Sequence, residues 1–181
     1  MRNSNEERIS KKYTEIMKIR RRMMKYRKAT LEDVKEVSLL FQDLIFHIKH
    51  SAKDVYWDFE EMSLDMTEQV IKEYIENEES CILVAEKNNK LVAMMILEVV
   101  SCHMVLCSHQ KVGYITAGYV KKEYRRQGIM KELEILSNEF FRNLSIKYVE
   151  VCYLRNNVGA GEAWNSMGYS CFREQARKCL D

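Results

Sequence analysis

The chain has 181 residues, of which 46% are hydrophobic and 31% are charged, and its formal net charge is +2. This length suits one well-buried domain, and the composition excludes a disordered protein. No apolar run reaches the roughly 18 residues needed to cross a bilayer, and no apolar segment follows the N-terminal charges. We therefore expect no membrane-spanning segment and no signal peptide. We expect the protein to be located in the cytoplasm.

The charge is unevenly distributed along the chain. Residues 1–28 contain eleven Lys or Arg and three Glu, a local charge of +8, which leaves −6 for the remainder. We interpret residues 1–23 as a basic N-terminal extension and residues 24–181 as a single domain. A basic extension can bind nucleic acid, but its weak amphipathic pattern equally fits a surface helix, so nucleic acid is not a predicted partner.

Six cysteines occur singly, at positions 81, 102, 107, 152, 171 and 179. They form no CxxC pair, and most lie inside apolar, strand-like runs. We therefore predict neither a metal knuckle nor a disulfide framework, and interpret these residues as buried, reduced thiols.

The first half of the chain predicts a strand followed by two helices. Residues 24–29 read as a strand, and Thr30 then caps a helix, with Asp33 completing a Thr-x-x-Asp variant of the capping box. Apolar residues recur at helical spacing as far as Ile48. Residues 51–66 lose that period and predict a loop or short helices, some of whose aromatic side chains could line a pocket. A further helix is predicted over 67–77.

The second half predicts strands that alternate with helices at its end. Two strands flank a polar KNNK turn of the hairpin type. The predicted strands cover 80–86, 91–100, 111–120, 146–153 and the extended stretch 169–173, and the predicted helices cover 128–143 and 157–167. This order predicts an α/β fold with a mixed, mostly antiparallel sheet of about six to seven strands and helices on both faces.

The stretch YVKKEYRRQGIMKEL, residues 119–133, joins a predicted strand directly to a helix. The first N–H groups of a helix lack partners within it, and the helix dipole adds positive potential there. Converging amides at such a point bind phosphate, and Gly128 permits close approach. Arg125, Arg126 and Lys131 add positive charge. The stretch is neither a Walker loop nor a GxGxxG motif, and a basic surface turn without a ligand is the alternative.

A second stretch, VCYLRNNVGAGEAWNSMGY, follows about 30 residues later and contains the end of a predicted strand and the start of a predicted helix. Together the two stretches resemble the GNAT superfamily of acetyl-CoA-dependent N-acetyltransferases, over about residues 24–175. The positions that carry the resemblance are Val120, Arg125, Gly128, Asn157, Ala160, Ala163, Trp164, Gly168 and Tyr169. The resemblance implies a GNAT-like sheet, acetyl-CoA as co-substrate and no metal.

For the cofactor, the resemblance implies a binding site along the junction. The backbone amides there would take the pyrophosphate of coenzyme A, and the predicted residues are Arg125, Arg126, Gln127, Gly128, Ile129, Met130 and Lys131. The strand ending at Val120 would part from strand 146–153, so that the pantetheine arm pairs with the backbone of Tyr119 and Val120. Asn157 would hydrogen-bond the arm, although capping its own helix is an equally good role. Met130 departs from the Gly or Ala that is usual at its position.

For the chemistry, the resemblance leaves several candidates open. Trp164 lies in the cofactor motif where many members carry a Tyr thought to protonate the leaving thiolate, and an indole N–H is a poor acid. Tyr169 or Tyr153 would then replace it. Tyr114 stands where some relatives carry a carboxylate base. Glu98, which interrupts an apolar strand, is the alternative base, and His103 and His109 are further candidates.

The resemblance implies transfer of an acetyl group from acetyl-CoA to a primary amine by direct attack in a ternary complex. The oxyanion donor would be the N–H of Val120. The alternative is a non-catalytic or regulatory acyl-CoA-binding protein. The acceptor is a small-molecule amine or a peptide amine, no membrane partner is expected, and a homodimer is compatible with the sequence.

Overall fold

A computed structural model of the protein describes residues 24–180 except positions 53, 59, 61 and 105. The prediction of a basic extension over residues 1–23 therefore lies outside the described residues. The chain divides into two compact units, one ending at Val151 and the other beginning at Cys152. None of the helices in the described residues is long and apolar enough to span a bilayer.

The first unit contains one sheet of five strands in the order β1-β2-β3-β4-β5. The strands are β1 (Met24–Lys28), β2 (Ser80–Lys87), β3 (Lys90–Ser101), β4 (Lys111–Val120) and β5 (Val149–Val151). Neighbours are antiparallel except for β4 and β5, which are parallel. The predicted mixed, mostly antiparallel sheet is thus confirmed.

The described residues form five strands, fewer than the predicted six or seven, because residues 169–173 form no strand. This stretch belongs to a tail, 170–180, that is exposed over its whole length. Alternating apolar residues define a strand only when a neighbouring strand accepts their backbone hydrogen bonds. A pattern of five residues does not specify that neighbour.

Four helices lie within a few residues of their predicted positions. They are α1 (Val34–Ala52), α2 (Leu64–Glu76), α3 (Ile129–Asn143) and α4 (Val158–Ser166). The start of α2 precedes the predicted residue 67 because Ser63 acts as its N-cap. The Ser63 hydroxyl accepts a hydrogen bond from the Met66 N–H at 3.3 Å, which is the usual role of serine at this position.

Helices cover both faces of the sheet, as predicted. Val37 and Leu40 of α1 and Ile71 of α2 are buried in one cluster with alternate residues of β2 and β3, among them Ile96. On the other face, α3 packs so closely that a Cβ on Gly113 would lie 2.7 Å from the Phe141 ring. Gly113 pairs with Val99 of β3. Val99 lies three residues after Ile96 on that strand, so alternation places the two side chains on opposite faces of the sheet.

An ion pair on β1 fixes the start of α1. The two terminal nitrogens of Arg27 donate to the two carboxylate oxygens of Asp33 at 2.6 and 2.9 Å. The same carboxylate accepts from the Thr30 backbone N–H at 2.8 Å, as the predicted capping box requires. The hydrogen bonds from Arg27, followed by those from Thr30, lower the pKa of Asp33 to about 2 although its partial burial opposes them.

The predicted KNNK hairpin turn connects β2 to β3. Asn88 and Asn89 have φ angles of 52° and 58°, which is the left-handed pair of a type I′ turn. The prediction of buried cysteines was wrong for Cys152, Cys171 and Cys179, which are exposed. Two of these lie in the exposed tail, where the apolar pattern had suggested a strand.

Candidate functional site

Strand β4 contains one extra residue, Thr116, which forms a β-bulge. Ala117 pairs with Ile96 and Ile115 pairs with Leu97, so Thr116 has no counterpart on β3. A bulge bends its strand and strengthens the local twist. The parallel pairing with β5 covers only residues 113–115 and stops one residue before the bulge. Beyond the bulge, β4 has an edge that β5 does not cover.

Hydrogen bonding to β3 determines which backbone groups this open edge presents. The Lys121 N–H donates to the Val92 carbonyl at 2.9 Å, which makes Val120 and its partner Ala93 a non-hydrogen-bonded pair. The N–H and C=O of Val120 therefore point away from β3, and alternation directs those of Gly118 the same way. The backbone of Tyr119, which the sequence had named, faces β3 instead.

The start of α3 lies just after β4 and leaves several amides without partners. Gly128 is the N-cap, with φ of 80°, and the first helical hydrogen bond runs from the Glu132 N–H to the Gly128 carbonyl at 3.1 Å. Within the described chain, the N–H groups of residues 126–131 donate to no backbone or side-chain acceptor. No described atom lies within 4 Å of a Cβ built on Gly128. Unpaired amides beside open space fit a phosphate group.

The side chain of Arg125 holds this loop against the end of β4. Its Nε donates to the Val120 carbonyl at 3.0 Å, and its guanidinium carbon lies 5.7 Å from the centre of the Tyr119 ring. Partial burial and the charge of Arg125 together lower the pKa of His47 on α1. Arg125 therefore acts first as a brace between the loop and its neighbours.

Some of the other loop residues anchor the loop by packing, and the others are exposed to solvent. Ile129 is buried and anchors the first turn of α3, whereas Arg126 and Lys131 are exposed. The Gln127 amide donates to the Glu123 carbonyl at 3.2 Å. Met130 is half-buried, so the bulkier residue at this position is accommodated by packing. Positive charge and unpaired amides thus remain on the open side.

The carboxylate of Glu98 has a hydrogen-bond partner that the sequence did not indicate. Glu98 pairs with Tyr114 across β3 and β4, and the Thr116 hydroxyl donates to Glu98 Oε1 at 2.6 Å. Burial, followed by the charge of Glu98, raises the pKa of Tyr74 on α2, although Thr116 opposes that shift. Glu98 is half-buried and Thr116 is exposed, so solvent reaches the pair.

The second unit contains the remaining predicted residues. The Asn157 side chain accepts from the Ala160 N–H at 3.2 Å, which is the capping role allowed for it. Trp164 is buried and meets the Tyr169 ring edge-on, with 5.3 Å between ring centres. The Tyr153 ring packs against Gly161, where an added Cβ would lie 3.2 Å from it. The structure brings these aromatic residues together by packing, and their chemical roles stay predictions.

The loop between β3 and β4 holds both candidate histidines. His103 is exposed, and the His109 ring packs on Tyr148 with 5.0 Å between ring centres. The ring contact of His109 with Tyr148 does not involve Thr116 or Glu98. Glu98 pairs with Tyr114 in the part of β4 that β5 covers, and its carboxylate reaches the bulge residue Thr116. Its role as a base stays a prediction.

A cavity of about 240 Å³ lies away from the open edge, between the end of α2, the first two strands and α3. Lys28, Cys81 and Phe140 are among its lining residues. Burial raises the pKa of Cys81 to about 11, although the charge of Lys28 opposes the shift. A thiol with such a pKa is protonated at neutral pH and is a poor nucleophile. Within the described residues, no group of three or more side chains could hold a metal ion.

Comparison with known proteins identifies the class to which this fold and site belong. The acetyltransferase (GNAT) family matches residues 45–169, more than half of the chain. The chain therefore belongs to the GNAT acetyltransferase family and is an acyltransferase of that type. A search among curated proteins finds no match.

Solved structures share the fold at low sequence identity. Aminoglycoside N-acetyltransferase AAC(6')-Iy in complex with CoA has a TM-score of 0.72 and 11% identity, covering 86% of this chain and 93% of that chain. AAC(6')-Ih from Acinetobacter baumannii has a TM-score of 0.69 and 14% identity, covering 87% and 98%. A possible acetyltransferase from Clostridium difficile 630 has a TM-score of 0.65 and 18% identity, covering 88% and 99%. These likenesses show the fold.

Proposed function

We propose that this protein transfers an acetyl group from acetyl-CoA to a primary amine by direct attack in a ternary complex. The proposal rests on one observation: two sets of backbone groups lie in consecutive segments of the chain. The unpaired amides of residues 126–131 suit a diphosphate, and the outward groups of Gly118 and Val120 suit an amide-containing chain. Coenzyme A contains both chemical parts in that order.

The donor would lie along the open edge of β4 in the place of a missing strand. Its diphosphate would accept hydrogen bonds from the loop amides, with Arg126 and Lys131 supplying positive potential. Its pantetheine arm would pair with the backbone of Gly118 and with the N–H of Val120. The Val120 carbonyl already accepts from Arg125 Nε at 3.0 Å. Asn157 and Trp164 remain predicted contacts to the donor, in addition to the capping and packing roles described above.

The reaction requires an activated acyl group, which acetyl-CoA supplies as a thioester. The Val120 N–H would stabilise the carbonyl oxygen as negative charge develops on it. Glu98 would remove a proton from the amine, directly or through a water, with Tyr114 beside it. The amine nitrogen then bonds to the acetyl carbon and the carbon–sulfur bond breaks. Tyr169 and Tyr153 are the candidates to protonate the departing sulfur.

A small-molecule amine is favoured over a peptide amine as acceptor. Two of the proteins that share the fold are aminoglycoside acetyltransferases by name, and aminoglycosides are small polyamines. An ammonium group would be attracted by Glu98 and by Asp43 of α1. Burial and the charge of Asp43 raise the pKa of Tyr119, which places that second carboxylate close to the end of β4.

Two measurements on the full chain test the proposal. Thermal unfolding with added coenzyme A should show a higher Tm, because ligand binding to the folded state stabilises it. Thiol release from acetyl-CoA should then depend on an added amine, and a panel of aminoglycosides, diamines and lysine peptides should identify the class. Stabilisation without release for any amine would favour the non-catalytic acyl-CoA-binding alternative. Absence of stabilisation would contradict the proposed donor.

A further inference from the structure

A carboxylate on β3 receives a hydrogen bond from the bulge residue of β4, on the α1–α2 face of the sheet. Glu98 lies on β3 and Thr116 lies on β4. The Thr116 hydroxyl donates to Glu98 Oε1 at 2.6 Å. Tyr74 of α2 is close enough for the charge of Glu98 to add to the effect of burial, which raises the pKa of Tyr74.

The direction of this hydrogen bond follows from the number of protons available. An ionised carboxylate only accepts, whereas a threonine hydroxyl carries one proton to donate. The single proton of Thr116 therefore goes to Oε1 of Glu98. Within the described residues, the second carboxylate oxygen, Oε2, has no hydrogen-bond partner.

Alternation along β4 places Thr116 on the face of Glu98. Tyr114 pairs directly with Glu98 and shares its face, and Thr116, two residues further on, points to the same side. The bulge leaves Thr116 without a pairing partner of its own on β3. The strand rise of about 3.3 Å per residue puts Thr116 about 7 Å before Gly118, where the open edge begins.

We propose that Thr116 is a positioning residue that holds the Glu98 carboxylate ready to accept the proton of the acceptor amine. The inference rests on the proposed function, since it assigns a supporting residue to the base of that reaction. Thr116 fixes Oε1, and Oε2, which has no partner among the described residues, would be the oxygen that accepts the proton. Ionisable Tyr74 from α2 and Tyr114 from β4 flank the carboxylate, and its β2 partner, Ser80, is uncharged.

The test compares steady-state kinetics of Glu98→Gln, Thr116→Val, Thr116→Ser and the double variant Glu98→Gln with Thr116→Val against those of the wild-type chain. Glu98→Gln should lower kcat/KM by about 100-fold, a typical contribution of a general base. Thr116→Val keeps the side-chain shape and should lower kcat/KM by about 10-fold. Thr116→Ser, which keeps the hydroxyl, should restore most of the activity.

The split between kcat and KM, together with a double variant, separates positioning from a general loss of structure. Because Thr116 acts on the base and not on acceptor binding, its loss should appear in kcat while KM stays close to the wild-type value. Thr116→Val should cause no further loss when Glu98 is already Gln. Tyr148→Phe is the matched control, because Tyr148 is exposed and should leave the kinetics unchanged.

The outcomes distinguish this inference from the proposed function. If the wild-type chain releases no thiol with any amine, the proposed function fails and this inference fails with it. If the wild-type chain is active, an unchanged kcat in Thr116→Val overturns the inference alone. Equal losses from Thr116→Val with and without Glu98→Gln would do the same. Stabilisation by coenzyme A, which should be the same in all variants, confirms that each one folds.

Discussion

At the residue scale, Gly128 combines an unusual backbone angle with an open approach. Its φ of 80° lies in the left-handed region, which β-branched residues rarely adopt. Gly128→Val should therefore strain the loop and fill the space beside the unpaired amides. We expect the variant to lose the rise in Tm that coenzyme A causes in the wild-type chain, as measured by thermal unfolding with and without the ligand.

Gly168 supplies the matched control for this substitution. It has a φ of 95°, and no described atom lies within 4 Å of an added Cβ. Gly168→Val should therefore lower the Tm through comparable backbone strain while keeping the stabilisation by coenzyme A. If Gly128→Val keeps that stabilisation too, the diphosphate binds elsewhere.

Asp33 is the residue whose ionisation contributes most clearly to stability. Its pKa is lowered from 3.8 to about 2 in the folded protein, so its contribution is complete above pH 4 and is lost as the pH falls through 2. Asp33→Asn should cost on the order of 1 kcal/mol of unfolding free energy at pH 7, after allowance for solvent screening. The cost should shrink as the pH falls from 4 towards 2.

Urea unfolding at several pH values measures this effect. Glu32→Gln is the control, because Glu32 is the exposed neighbour of Asp33 in the same turn. It should change the unfolding free energy by less than about 0.5 kcal/mol at any pH. A cost of Asp33→Asn that stays constant down to pH 2 would show that the Arg27 ion pair is not its source.

At the element scale, α3 is held against β4 by contact between a ring and a backbone. A Cβ on Gly113 would lie 2.7 Å from two atoms of the Phe141 ring, and Phe141 is buried at 1% exposure. Gly113→Ala should therefore destabilise the fold by about 1–3 kcal/mol, the usual cost of overpacking a core. Denaturant unfolding should show the change.

A glycine with free space provides the comparison. An added Cβ on Gly159 of α4 meets no described atom within 4 Å, and alanine favours helices more than glycine does. Gly159→Ala should therefore leave the stability equal or slightly higher. A harmless Gly113→Ala would mean that α3 can move away from β4 at little cost.

At the scale of the whole molecule, the proposed donor spans two features that can be tested with separate ligands. Coenzyme A at 100 times its Kd should raise the unfolding free energy by about 2.7 kcal/mol. Pantetheine lacks the diphosphate and should give much less stabilisation at the same concentration, because only the open edge of β4 would bind it. Equal stabilisation by the two ligands would contradict a diphosphate site at the start of α3.

Both units contribute residues to the family motifs, and the family match covers residues 45–169 across them. The open edge of β4, the loop amides and Glu98 lie in the first unit. Asn157, Trp164 and Tyr169 lie in the second unit, where their packing is defined, and their contacts to the donor stay predictions. The kinetic tests above therefore use the intact chain.

The sequence by itself determined those features that neighbouring residues specify. Capping residues, helical spacing and the Asn88–Asn89 turn act over a few positions, so the helices, most strands and the unpaired amides after Gly128 were predicted close to their observed places. A helix start leaves its first N–H groups unpaired in any fold. The candidate phosphate site could therefore be found without coordinates.

Only the tertiary structure decided which groups meet across the sheet. The Thr116 bulge depends on the register between β3 and β4, and that register is set by contacts far apart in sequence. The same pairing directs Gly118 and Val120, and not Tyr119, to the open edge, and brings Thr116 and Glu98 together. A strand prediction also needs a partner strand, so residues 169–173 could not be judged from their pattern alone.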